Sequence, residues 1–120
     1  MSPKSEPRVY MIILNRIIMS SREVYDELKE HFASYSDVEL PGKKGAQGLK
    51  YKGKMFAMFW KGHLVLKFSP NRVAELISQN IGEPYDPGTG TPMKDRVLIS
   101  TSKKSEWIEL CKESKAFVEK

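Results

Sequence analysis

Two Lys-Gly pairs, Lys52-Gly53 and Lys61-Gly62, stand among residues that are otherwise apolar and strand-forming, and they constrain this chain more than any other feature. Glycine takes the positive φ that a two-residue hairpin turn needs, so each pair predicts a tight reversal between antiparallel strands. The strands are then about Gln47–Tyr51, Lys54–Trp60 and His63–Phe68. With two-residue loops at both turns, Met55, Ala57, Phe59, Leu64, Leu66 and Phe68 share one face, uniformly apolar and expected under helices. The opposite face then carries Leu49, Tyr51, Lys54, Phe56, Met58, Trp60, His63, Val65 and Lys67, which mixes aromatic with basic side chains.

Helices flank this meander. Ser20 and Glu23 have the spacing of a capping box, with Met19 and Val24 placed as a hydrophobic staple around it. Val24, Tyr25, Leu28, Phe32 and Tyr35 follow at helical period, so a helix is expected over about 21–34. Residues 36–45 read as a loop. Ser69 and Pro70 start a second helix as cap and first residue, with Val73, Leu76, Ile77 and Ile81 buried and Gly82 as its C-terminal cap. Residues 83–95 are rich in Pro and Gly and read as a loop. A strand over 96–101 and a helix from Ser102 or Ser105 follow, the latter burying Trp107, Leu110, Cys111, Ser114, Phe117 and Val118. The fold class is therefore α+β, in two layers. A small antiparallel sheet of about four strands or more has helices on one face, in the order α-β-β-β-α-β-α. The domain is expected over residues 19–120, behind an N-terminal extension at 1–18, since Met19 can itself start a polypeptide.

The 120 residues suit one domain. The apolar run Val9–Leu14 is too short to span a bilayer and has no cleavage signature after it, so a cytoplasmic protein is expected. Cys111 is the sole cysteine and reads as core filling. One Cys and two distant His cannot supply a closed zinc site, and neither a nucleophile elbow nor a P-loop is present. Gly88-Thr89-Gly90 precedes a strand rather than a helix and reads as a turn. His63 reads as a solvated turn residue. No cofactor, metal or catalytic group is expected, and the reading is non-enzymatic.

The net charge of +5 is uneven. Between Pro41 and Ala74 stand Lys43, Lys44, Lys50, Lys52, Lys54, Lys61, Lys67 and Arg72, with no acid. Such a run attracts anionic partners, and it equally serves to protect strand edges from pairing. An aromatic and basic sheet face stacks bases and contacts phosphates in many single-strand binders. The other reading of that face is a second buried surface or a homodimer contact.

Several fragments stand in order: Gly53-Lys54-Met55-Phe56-Ala57, Leu64-Val65-Leu66-Lys67, Arg72 with Leu76, and Pro87-Gly88-Thr89-Gly90-Thr91-Pro92-Met93-Lys94. From Met19 to the C-terminus the chain resembles the N-terminal domain of the TfoX/Sxy family. The resemblance implies a helix, a small antiparallel sheet and further helices, in two layers; the family's founding members are regulators of DNA-uptake competence that work with transcription machinery. Those founding members carry a second helical domain for which these 120 residues are expected to have no counterpart, so their role is not expected to transfer with the fold. It also implies a functional surface at the recurrent cations Lys54, Lys67, Arg72 and Lys94. Arg96 stands where relatives usually have Trp. With Tyr51 and Trp60 from the mixed sheet face, these residues form the candidate binding surface. The expected mode is a protein partner, a homodimer included, with nucleic acid as the alternative and no membrane.

Overall fold

The computed structural model describes residues 20–41 and 48–120. The expectations for the 1–18 extension, Met19, Lys43, Lys44, Gly45 and Gln47 lie outside them. The elements are α1 (Ser21–Ala33), β1 (Val38–Glu39), β2 (Gly48–Tyr51), β3 (Lys54–Trp60), β4 (His63–Lys67), α2 (Pro70–Ser78), β5 (Glu83–Pro84), β6 (Arg96–Ile99), a 3-10 turn (Thr101–Glu106) and α3 (Trp107–Val118). The strands form one antiparallel sheet in the order β1-β2-β3-β4-β6-β5. The α+β class and the expected element order hold, with two short edge strands, β1 and β5, added. No helix among the described residues is long and apolar enough to cross a membrane.

Local signals account for most element ends. Ser20 N–H donates to Glu23 Oε1 at 2.9 Å and Glu23 N–H donates to Ser20 Oγ at 3.1 Å, so the capping box is complete. Lys52 and Lys61 both have φ of 48°, followed by Gly53 at 80° and Gly62 at 82°. Positive φ at both central positions makes each a type I′ turn, whose twist matches that of the strands it joins. Ser69 caps α2, its Oγ accepting from Arg72 N–H, with Pro70 first in the helix.

The other end of α2 differs from expectation. Asn80, not Gly82, takes the left-handed turn, at φ 60°. Asn80 N–H donates to Ile77 O and Ile81 N–H to Leu76 O, the paired bonds of a Schellman motif. Gly82 instead makes room for a neighbouring strand, since a Cβ there would stand 2.4 Å from Val97 Cγ2. The residue must be glycine so that the chain can pass close against β6.

The largest departure lies in β3. Leu49 pairs with Ala57 but Lys50 pairs with Met55, so Phe56 has no partner on β2 and forms a β-bulge. One extra residue inverts the alternation on one side of it. Phe56 and Ala57 therefore both point to the helix layer. Leu49 and Tyr51, expected on the outer face, belong to the helix side. Lys54, paired with Tyr51, moves with it, and Met55 moves to the outer face, folded over Gly48. From Ala57 onward the expected register holds: Ala57 opposite Leu66, Met58 opposite Val65, Phe59 opposite Leu64, Trp60 opposite His63.

The helix layer covers a core of Val24, Leu28 and Phe32 from α1, Leu76 from α2, and Trp107, Leu110, Cys111 and Val118 from α3. Tyr25 stacks on Phe59 with ring centroids 4.7 Å apart. Cys111 is a free, buried thiol, and burial pushes its pKa up, as expected of core filling. Ser114 is buried and lies 2.8 Å from Phe56 O and 2.7 Å from Lys67 O. Its hydroxyl reaches into the sheet where the bulge interrupts the ladder. Lys115, also buried, lies 3.3 Å from Asp37 and from Glu119, with its ammonium over the rings of Tyr35 and Tyr51. Burial works against its charge, but the bonds to Glu119 and Asp37 outweigh it and hold the pKa above the ordinary lysine value.

Candidate functional site

The outer face of the sheet is half covered. Residues 85–95 turn back over it, and Tyr85 joins Val65 and Leu98 in a small second core with Met58 and Trp60 at its edge. The turn is held by its own bonds. Asp86 Oδ1 accepts from Gly88 N–H at 2.8 Å, Thr89 N–H at 2.9 Å and Gly90 N–H at 3.3 Å. The Gly88 hydrogen bond leads in holding the Asp86 carboxyl below its ordinary value. Gly88 and Gly90 have φ of 118° and 89°, so the Gly-Thr-Gly segment is a turn, as expected. Its amides already hold a carboxylate, which leaves them unavailable to a phosphate. Met93 N–H donates to Tyr85 O at 2.8 Å and closes the turn.

The bulge and this turn together make a cavity of about 180 Å³. Where Phe56 and Ala57 both send their side chains to the helix layer, the outer face receives only their backbone. That strip floors the cavity. Met55, Met58 and Val65 wall it from the sheet, Tyr85 and Met93 from the turn, and Arg96 closes one side.

Arg96 belongs to a charge cluster. Lys67 and Arg96 are cross-strand neighbours. Lys67 Nζ donates to Asp95 Oδ2 at 2.7 Å, and Arg96 Nη1 stands 3.7 Å from the same oxygen. Nη1 is buried and makes no hydrogen bond. The bond from Lys67 is the main reason the Asp95 carboxyl sits below its ordinary value. Two cations thus share one carboxylate.

The other candidate residues are scattered. Arg72 forms a two-pronged bridge to Glu113, with Nε 2.6 Å from Oε2 and Nη2 3.0 Å from Oε1, and also pairs with Glu75. The bridge ties α2 to α3. Lys54 is exposed beside the first turn, on the other face from Lys67. Tyr51 packs toward the helix layer and faces Lys115 and Lys52. Trp60 meets Tyr85 edge to face at 5.1 Å, with Lys61 Nζ 4.6 Å from its centroid. Of the seven candidates, only Lys67 and Arg96 are brought together. The expected single face bearing Lys54, Tyr51, Trp60 and Lys67 does not form, because the bulge inverts its first half. His63 is half-buried rather than solvated, and its Nδ1 accepts from Thr101 N–H at 3.1 Å, so it caps the 3-10 turn.

Lys94 lies at the end of a second hollow, about 330 Å³, between α2 and the turn. Val73, Ala74 and Ile77 line one side; Pro84, Pro92 and Met93 line the other. Asp95, Tyr85 and Met93 were not among the candidates: Met93 lines both hollows, Tyr85 lines the outer-face cavity, and Asp95 pairs with Lys67 beside Arg96. An isolated acid between Lys94 and Arg96 was the one available signal. Among the described residues no group of three His, Cys, Asp or Glu could hold a metal ion. Comparison with family models, with curated proteins and with solved structures returned no match to this chain.

Proposed function

We propose that this chain is a non-enzymatic binding domain of TfoX-like regulatory type, which acts in the cytoplasm through a protein partner. The observation that carries the reading is the hollow between α2 and the 84–94 segment. Its lining is apolar but for Lys94, Ala74 and Pro92 on its walls are exposed, and Met93 is 37% exposed. Exposed apolar surface of this kind is the usual mark of a protein contact. The family resemblance adds the regulatory character, and the unpaired Cys111 accords with a reducing compartment.

The alternative, nucleic-acid binding through a lysine and aromatic sheet face, draws on the acid-free run of residues 41–74. Against it stand the ion pairs of Lys67 and Arg72 and the engagement of Trp60 by Tyr85. Phosphate contact would require those pairs to break.

A photo-crosslinking residue at Ala74 tests the reading in cells of the source organism, with the same residue at exposed Glu109 of α3 as control. A defined protein, or a second copy of this chain, crosslinked from position 74 and not from 109 is the expected result. Equal crosslinking from both positions, or from neither, overturns it. Single-stranded DNA or RNA binding that falls steeply with salt would favour the alternative.

A further inference from the structure

We infer that the outer-face cavity is a binding site for a small carboxylate with an apolar body, of the size of benzoate. This goes beyond the protein-contact reading and concerns a different hollow. Three observations carry it. The volume of about 180 Å³ slightly exceeds the roughly 150 Å³ at which an apolar protein cavity holds benzene. The lining is chemically one-sided: Met55, Met58, Val65, Tyr85 and Met93 are apolar or aromatic, and among the described residues no carboxylate lines it and Arg96 is the one charged residue that does. Finally, the charge beside the cavity is unbalanced. Asp95 is bound at 2.7 Å by Lys67, while Arg96 stands 3.7 Å away with a buried N–H that has no acceptor.

A buried donor without an acceptor is costly, and the cost is larger for a charged group. A monoanion whose carboxylate meets the guanidinium balances two cations with two carboxylates. Guanidinium and carboxylate are complementary in shape, which favours this anion over a larger, more hydrated one. The thioethers supply adaptable walls, since methionine repacks around irregular shapes at low cost. The origin of the site is the bulge. Were β3 regular, a side chain would rise from the sheet where the Phe56 and Ala57 backbone now forms the floor.

The probe is benzoate, titrated into protein carrying 13C-methyl methionine, with benzyl alcohol and benzylamine as neutral and cationic counterparts. The Met55, Met58 and Met93 methyl signals should shift together and saturate, with Kd on the order of 1 mM for so small a ligand. Benzyl alcohol should bind about tenfold more weakly or worse, and benzylamine should leave the signals unmoved. Arg96→Gln should weaken benzoate about tenfold without changing benzyl alcohol. Should Arg96→Gln fail to fold, Met93→Glu, at an exposed position, sets a carboxylate at the cavity mouth. It should weaken benzoate selectively, read at Met55 and Met58. Equal binding of benzoate and benzyl alcohol overturns the inference. So does unaltered benzoate binding in the folded variant, or the absence of shifts at about 20 mM.

Discussion

Ser114→Ala isolates the means by which this fold tolerates a bulge in the strand that runs through its centre. The hydroxyl of Ser114 is fully buried and lies within hydrogen-bond distance of two sheet carbonyls, Phe56 O at 2.8 Å and Lys67 O at 2.7 Å. It has one proton, so it serves one carbonyl at a time. Alanine removes that donor and adds no steric conflict. A buried acceptor left without a partner costs about 1–3 kcal/mol. Against this, Ala is the better helix former, by less than about 0.7 kcal/mol. The net destabilisation should be about 0.5–2.5 kcal/mol. Ser78→Ala is the internal control. Ser78 is exposed on α2, its hydroxyl donating to Glu75 O at 2.8 Å, and its loss should change stability by no more than about 0.5 kcal/mol. Urea unfolding of the three proteins, followed by tryptophan fluorescence, gives the comparison at unchanged m-value. A Ser114→Ala midpoint indistinguishable from that of Ser78→Ala would refute the reasoning and show that the bulge needs no donor from α3.

Gly82→Ala should destabilise by about 1–3 kcal/mol, as overpacking does, because its Cβ would lie 2.4 Å from Val97 Cγ2. The double variant with Val97→Ala should lose less than the two single losses combined, measured in the same unfolding assay. Asp95→Asn tests the charge cluster through pH. The folded Asp95 carboxyl titrates below its ordinary value, chiefly through the bond from Lys67, so its stabilisation is present above the ordinary aspartate range. It is lost as pH falls through and below about 4. The melting temperature of wild type should therefore exceed that of Asp95→Asn at pH 6, and the gap should narrow progressively as pH falls below the ordinary aspartate range. A gap that stays constant would show that Asp95 acts through something other than its charge.

What could be read without coordinates was whatever the chain decides over a few residues. The Ser20–Glu23 box, the Ser69-Pro70 start and the two Lys-Gly turns each close within one turn of backbone, and each appears where it was expected. The helical stripes were legible because burial repeats at the helical period. Asn80 could have been named as the end of α2, since asparagine takes positive φ more readily than most residues, but Gly82 is the stronger local sign and hid it. Gly82 answers to Val97, fifteen residues away, and not to its own helix.

The candidate surface depended on contacts of longer range. In Lys54–Trp60 five of the six residues after the lysine are large and apolar, and nothing local marks Phe56 as the extra one. That choice is made across the sheet, where Phe56 packs edge-on to Phe32 and Ser114 waits for its carbonyl. Because side chains alternate with period two, that single decision moved Leu49, Tyr51, Lys54 and Met55 to opposite faces and removed the expected patch. The cations followed the same rule. Lys67 finds its acid 28 residues away and Arg72 finds Glu113 at 41, so their availability was decided by which acids the tertiary fold set beside them. Composition and local pattern determined the α+β class and its turns. The bulge, the cavity above it and the pairing of its charges were decided only when distant segments met.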